Sequence, residues 1–328
     1  MTTSSIRIAT FNLLNYIAPP DAYYDFINIY TEQEWQGKEQ WTEKALIEVD
    51  ADVVAFQEVF SPKDLQALCL RAGYRFFSVC DLPQRESDYV YSKPVVALAS
   101  KWPISNAKSV SSRNVTKMPK NFQFSRKPLH VQVHLPKYGL TDFYVVHLKS
   151  QRSTDTTDDE HYTQQNRHVY GQWLSSFQRH EEADALKYIM RANKKTSGRP
   201  AIVLGDFNQR LNSDSLQNLV DPTSADAGLL TQKSALFLTD SWDIYTRGIK
   251  EDTSDVTSDI QHQCQPIKRP ASHYWGETGS VLDYILLSQE FTLVTQHQTI
   301  DRHLVEAIFS RDRYATDHGI VVINLQHR

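Results

Sequence analysis

The sequence predicts an α/β (α+β) protein built around a large β-sheet core. Short apolar runs bounded by turn residues recur along the 328 residues, the pattern of buried strands. Only a few stretches of helical periodicity separate them. No internal repeat and no Gly-, Pro- or Ser-rich linker divides the chain, so residues 1–328 read as a single domain.

Ile6 to Phe11 alternates apolar and polar residues and predicts a first strand, ending in Thr10-Phe11-Asn12. Residues 15–37 are aromatic and polar, contain Pro19-Pro20, and read as a long loop. Trp41, Ala45, Leu46 and Val49 then share one face of a helix over 38–49. A second strand over 52–56 closes on Gln57-Glu58. Ser61-Pro62 followed by Asp64 is helix-opening chemistry, Leu65, Leu68, Cys69 and Ala72 form its apolar face, and Gly73 stops it. Strands are expected at 74–79, 95–99, 129–135 and 143–148. Residues 150–170, with Asp155, Asp158, Asp159 and Glu160, read as a polar surface insertion. The next helix is expected over 178–192, with Arg179, Glu181 and Glu182 on its solvated face. A buried strand at 201–204 follows, then a second polar insertion near 250–263 and strands at 281–287 and 319–325.

Composition narrows the function classes. A hydrophobic fraction of 40% supports a sizeable core, and a net charge of -4 gives no global basic field. A nucleic-acid partner would therefore have to be held by local patches. Three cysteines without metal-type spacing predict a reduced, cytoplasmic chain. The given N-terminus lacks leader-peptide character, and no run is long enough for a transmembrane helix. No obligate protein partner is evident.

The chemistry gathers at strand ends. Gly205-Asp206-Phe207-Asn208 follows the buried strand at 201–204. Glycine there permits close backbone approach. Asp206 and Asn208, two apart, point the same way in an extended segment, where they suit water and phosphate oxygens. A plain turn is the alternative, since Gly, Asp and Asn are common turn formers. Asn12, Glu58, His147 and the Asp317-His318 pair also end or interrupt apolar strands. Asp283 lies inside Val281-Leu282-Asp283-Tyr284-Ile285, where a charge is costly unless paired.

Thr10-Phe11-Asn12, Gln57-Glu58, His147-Leu148, Gly205-Asp206-Phe207-Asn208, Leu282-Asp283-Tyr284 and Thr316-Asp317-His318 occur in that order. In this ordered set the chain resembles the endonuclease/exonuclease/phosphatase superfamily, the group of DNase I, exonuclease III, neutral sphingomyelinases and inositol polyphosphate 5-phosphatases. The resemblance implies a four-layer αββα sandwich, with two packed mixed β-sheets flanked by helices and a site at one end. It also implies divalent-metal-dependent hydrolysis of a phosphoester.

By resemblance, Glu58 is the metal ligand, with Asn12 and Asp317 beside it, and the ion is Mg²⁺ with Mn²⁺ as a substitute. Asp206 and Asn208 match the pair that orients water and contacts phosphate. His318 matches the histidine paired with Asp283, a dyad that fixes the ring's tautomer. His147 matches the second histidine of DNase I and the sphingomyelinases. The acid and base roles of the two histidines stay open. Arg126, before Lys127-Pro128, and Lys149, after His147-Leu148, are the expected phosphate-binding cations; ordinary surface cations are the alternative.

Two departures bear on the substrate. Leu14 stands where the repair nucleases carry an acidic residue or asparagine, and the Trp-Cys-Asp-Arg type segment of the inositol 5-phosphatases is missing around Asp283. Thr10 to Tyr16 and His147 to Ser150 look closer to bacterial nuclease-like members. The expectation is a phosphodiesterase acting on DNA or RNA. The alternatives are a phospholipid, sphingolipid, sugar phosphate or nucleotide-like substrate on the same chemistry, or a non-catalytic binding protein on this fold.

Overall fold

The computed structural model describes residues 5–111, 121–154, 163–220, 235–254, 267–275, 278–305 and 313–327. The chain begins β1 (Ile6–Tyr16), β2 (Ala22–Tyr23), α1 (Glu32–Val49), β3 (Val53–Val59), α2 (Pro62–Arg71) and β4 (Phe76–Ser78). It continues through β5 (Gln84–Arg85), β6 (Val90–Lys93), β7 (Val95–Ser100), β8 (Ile104–Ser109), β9 (Leu129–Leu135) and β10 (Gly139–His147). Then come α3 (Gln164–Ser197), β11 (Ala201–Asp206), α4 (Gln217–Val220), β12 (Leu238–Asp240) and α5 (Ser241–Ser254). The last elements are β13 (His273–Trp275), β14 (Thr278–Ser280), β15 (Asp283–Ser288), β16 (Val294–Ile300), α6 (Arg302–Val305) and β17 (Ile320–Leu325).

Two six-stranded mixed sheets carry the fold, ordered β16-β17-β1-β3-β7-β4 and β12-β15-β11-β10-β9-β8. Side chains alternate across each strand. Ile8, Val53, Ala55, Val321 and Ile323 of the first sheet meet Phe143, Val145, Ile202, Leu204, Ile285 and Leu287 of the second. The outer face of the first sheet, with Ala9, Phe11, Val54 and Phe56, is covered by Leu46 and Val49 of α1 and Leu65 and Leu68 of α2. The outer face of the second, with Tyr144, Val203 and Leu286, is covered by Ala183, Leu186 and Met190 of α3. These are the four layers of an αββα sandwich, as expected.

Several boundaries differ from the sequence reading, each for a local reason. The segment 15–37 is not one long loop. β1 runs on to Tyr16 through a register shift after Asn12. α1 starts at Glu32 because Thr31 and Glu34 form a capping box, with the Glu34 N–H donating to Thr31 Oγ1 and the Thr31 N–H to Glu34 Oε2. The insertion expected at 150–170 ends earlier: residues 164–170 already belong to α3, which starts at Gln164, is capped by Thr163, and runs to Ser197. The acidic cluster at 155–160 lies outside the described residues. The second insertion near 250–263 begins inside α5, which reaches Ser254; residues 255–263 are likewise outside the described set.

The polarity of α3 is reversed at this end. Tyr170, Trp173 and Phe177 face solvent, while Arg179 and Glu182 face inward at 2% and 0% exposure. The expectation of a solvated face for Arg179 and Glu182 is therefore wrong. An outward aromatic row and an inward charged row defeat any assignment made from polarity.

Candidate active site

The inward rows of the two sheets are apolar for most of their length and turn polar at one end. Ile8 and Thr10 lead to Asn12, Phe143 and Val145 to His147, and Ile202 and Leu204 to Asp206. β15 runs the other way, so its row starts with Asp283 and continues as Ile285 and Leu287. In register, His147 lies opposite Asp206, and Asp206 opposite Asp283. Three polar residues thus stand side by side on adjacent strands, all buried.

Gly205 makes this possible. Its φ of 145° is open to glycine, and a Cβ there would sit 2.0 Å from the Val146 carbonyl oxygen. Beyond it the strand ends in a turn. Asn208 has φ 54°, and its N–H donates to Asp206 Oδ1 at 2.7 Å. The extended alternation expected to aim Asp206 and Asn208 together does not reach Asn208. The turn brings them together instead, with Asn208 Nδ2 donating to Asp206 Oδ2 at 3.2 Å and to the Leu148 carbonyl at 3.0 Å.

Asp206 is the hub. Asn12 Nδ2 donates to its Oδ2 at 3.1 Å, while His147 Nε2 and His318 Nε2 approach the same oxygen at 3.5 and 3.8 Å. His318 Nδ1 donates to Asp283 Oδ2 at 2.8 Å, and Ser272 Oγ donates to that same oxygen at 2.7 Å. Burial opposes a charge on His318. Asp283, Asp206 and Asp317 outweigh it and hold the imidazole pKa well above its ordinary value. His147 goes the other way: burial, then Arg126 and His318, push it well below the ordinary value. Asp206 is pushed up to about 7, chiefly by burial.

The remaining expected residues lie around this centre. Arg126 presents Nε and Nη2 to the two ring nitrogens of His147 at 3.1 and 3.0 Å. Glu58 has φ 60°; its Oε2 accepts from the Asn15 N–H at 3.0 Å and its Oε1 faces His147 Nε2 at 4.0 Å. Asp317 Oδ1 lies 3.9 Å from His318 Nε2. Lys149 follows His147-Leu148, and burial, then Arg126, lower its pKa. Its N–H donates to Glu182 Oε2 at 2.7 Å, and Glu182 Oε1 accepts from the Ser125 N–H at 2.6 Å. Arg179 Nη1 donates to the Lys149 carbonyl at 2.8 Å. Sequence reasoning missed Glu182 and Arg179 as supports of the site. It also missed His273, on β13, and Ser272 just before it, which carry no local signal.

Asn12, Glu58 and Asp317 do not form one cluster of touching side chains. Asn12 contacts Asp206 and His318, Glu58 faces His147, and Asp317 faces His318 and His273. Among the described residues two donor groups lie within 4.8 Å: Asp206, Asp283 and His318, and His273, Asp317 and His318. Asp283 Oδ1 and Asp317 Oδ1 are buried without a hydrogen-bond partner among the described residues. Unsatisfied carboxylate oxygens of this kind fit a hard divalent cation.

The sequence profile described as "Endonuclease/Exonuclease/phosphatase family" matches residues 9–318. The chain belongs to that family. At the level of the family this is phosphoric ester hydrolysis, generally with a divalent metal. The structure of the human Nocturnin catalytic domain with bound sulfate anion is similar, with TM-score 0.59 and 15% identity over 99% of this chain and 95% of that one. D. rerio TDP2 complexed with single strand DNA product gives TM-score 0.56 and 15% identity over 98% and 99% of the two chains. An endonuclease/exonuclease/phosphatase from Beutenbergia cavernae gives 0.51 and 15% over 98% and 72%. At these identities the likeness is one of fold. No curated protein matches the chain by sequence. No described helix is long and apolar enough to cross a membrane.

Proposed function

We propose that this chain is a divalent-metal-dependent phosphodiesterase, and that its substrate is DNA or RNA. The observation that carries the reading is the hub at Asp206: a buried carboxylate pushed up to about 7, flanked by Asn12, Asn208 and two imidazoles. A carboxylate whose pKa lies near neutrality suits removal of a proton from water at that pH. Asn208 and Asn12 fix its orientation. His318, kept cationic by Asp283, donates to a phosphate oxygen or to the leaving oxygen. His147, kept neutral, contacts phosphate together with Arg126.

Glu58, Asn12 and Asp317 are the residues we assign to Mg²⁺ or Mn²⁺. When bound, the cation supplies Lewis-acid stabilisation of charge on the phosphoryl oxygens.

Nucleic acid is favoured over a lipid by the local charge. Burial depresses the pKa of Lys149 first, and Arg126, Arg179 and Arg152 depress it further against the opposing Glu182, so cations outnumber the carboxylate in this patch despite the acidic balance of the chain. TDP2 with a single-strand DNA product shares the fold. The test is a hydrolysis panel with Mg²⁺ or Mn²⁺ on single-stranded and duplex DNA, RNA, phosphoinositides, sphingomyelin and an aryl phosphodiester. DNA or RNA cleavage that falls by about 10²–10⁴ in both Glu58→Gln and His318→Ala is expected. Full activity in both variants, or turnover confined to the lipid or small-molecule arms, overturns the assignment.

A further inference from the structure

His273 has no part in the reaction just described, yet it stands beside it. An isolated antiparallel bridge pairs His273 with His318, reinforced by the Gly319 N–H donating to the Ser272 carbonyl at 2.7 Å. The backbone therefore fixes the two imidazoles as neighbours, with ring centroids 4.8 Å apart. The Asp317 carboxylate lies between them. Its Oδ2 is 4.0 Å from His273 Nε2 and its Oδ1 is 3.9 Å from His318 Nε2.

We infer that His273, Asp317 and His318 form a second cation site, selective for a borderline transition ion such as Zn²⁺ or Co²⁺, whose occupancy inhibits the enzyme. Two imidazole nitrogens and one carboxylate oxygen are a ligand set for those ions, whereas Mg²⁺ prefers oxygen. The donor atoms lie within 4.8 Å of one another. Tetrahedral coordination at zinc bond lengths needs about 3.4 Å between donors, a contraction within reach of side-chain rotation. Asp317 Oδ1 is buried and has no hydrogen-bond partner among the described residues, so a transition ion held there competes for it with the Mg²⁺ assigned to Asp317 above. His318 is already oriented as a ligand: Nδ1 donates to Asp283, which Ser272 in turn holds, leaving Nε2 toward Asp317. A carboxylate behind a coordinating imidazole is the usual outer support of such sites.

Inhibition follows from geometry and rests on the function proposed above. His318 Nε2 is also the atom turned toward Asn12 and Asp206, at 3.5 and 3.8 Å. An ion that takes its lone pair removes its proton and its contact with phosphate.

The test is a Co²⁺ titration of the full chain in excess Mg²⁺, read by the visible bands of low-coordinate Co²⁺, with Zn²⁺ absorption fine structure as a second readout. One ion per chain with two imidazoles in its shell is expected, together with binding at least about tenfold weaker in His273→Gln. Zn²⁺ should inhibit Mg²⁺-dependent hydrolysis, and His273→Gln should raise the inhibitory concentration by a similar factor. Equal affinity in the variant, or an all-oxygen shell in the unmodified protein, overturns the site. The zinc spectrum needs no variant, so a misfolded His273→Gln leaves the proposal testable. A chain that binds Co²⁺ as described but cleaves no phosphodiester with Mg²⁺ sinks the hydrolase reading while the site stands.

Discussion

The backbone N–H of Lys149 donates to the buried carboxylate of Glu182 at 2.7 Å, and the other oxygen of that carboxylate takes the N–H of Ser125 at 2.6 Å. One side chain of α3 thereby ties together the two segments that present Arg126 and Lys149. No hydrogen bond among the described residues joins Glu182 to the Asp206 hub, so the proposed function gives it a positioning role.

Glu182→Gln keeps the shape but turns one accepting oxygen into a donor, which leaves a loop N–H unpaired. KM for an anionic substrate should rise about tenfold while kcat changes less, with about 2–3 kcal/mol of stability lost. A kcat loss with unchanged KM contradicts the positioning role. Glu182→Asp, which keeps the charge, should recover part of the KM effect.

Asp283 and His318 are joined at 2.8 Å, and the proposed function makes them one unit. Asp283→Asn and His318→Ala should each lower kcat/KM by about 10²–10⁴, and the double variant should be little worse than either. Losses that multiply in the double variant show independent roles.

Gly205→Ala forces a Cβ against the Val146 carbonyl and places a side chain at φ 145°. A loss of about 3 kcal/mol is expected in the urea unfolding free energy, with activity lost through displacement of Asp206. A variant as stable and active as the parent rules out the close approach between β10 and β11.

His297 gives the clearest pH dependence. Burial, and then Arg269, push its pKa down to about 3 from the ordinary 6.5, and neither ring nitrogen has a hydrogen-bond partner among the described residues. Between pH 6.5 and 3 the unfolded chain binds a proton there that the folded chain refuses. Stability therefore falls as pH falls through that window, by about 4 kcal/mol at its lower end. His297→Leu should flatten the slope in urea melts taken across this range, and an unchanged slope assigns the acid sensitivity elsewhere.

The core strands and the order of the polar strand ends are legible in the amino-acid sequence. Leu129–Leu135 and Ala201–Leu204 announce themselves because a row buried between two sheets must be apolar. Asp283 stood out because a carboxylate in such a row needs a partner. Other features arise from long-range packing. Asp206, His147 and Asp283 became neighbours through strand register, which no single segment encodes. Arg179 and Glu182 looked like solvated charges because helical periodicity reports polarity, whereas a helix lying over loop backbone buries charge to satisfy N–H and carbonyl groups. His273 carries no local signal, and its place beside His318 follows from one backbone bridge between distant segments.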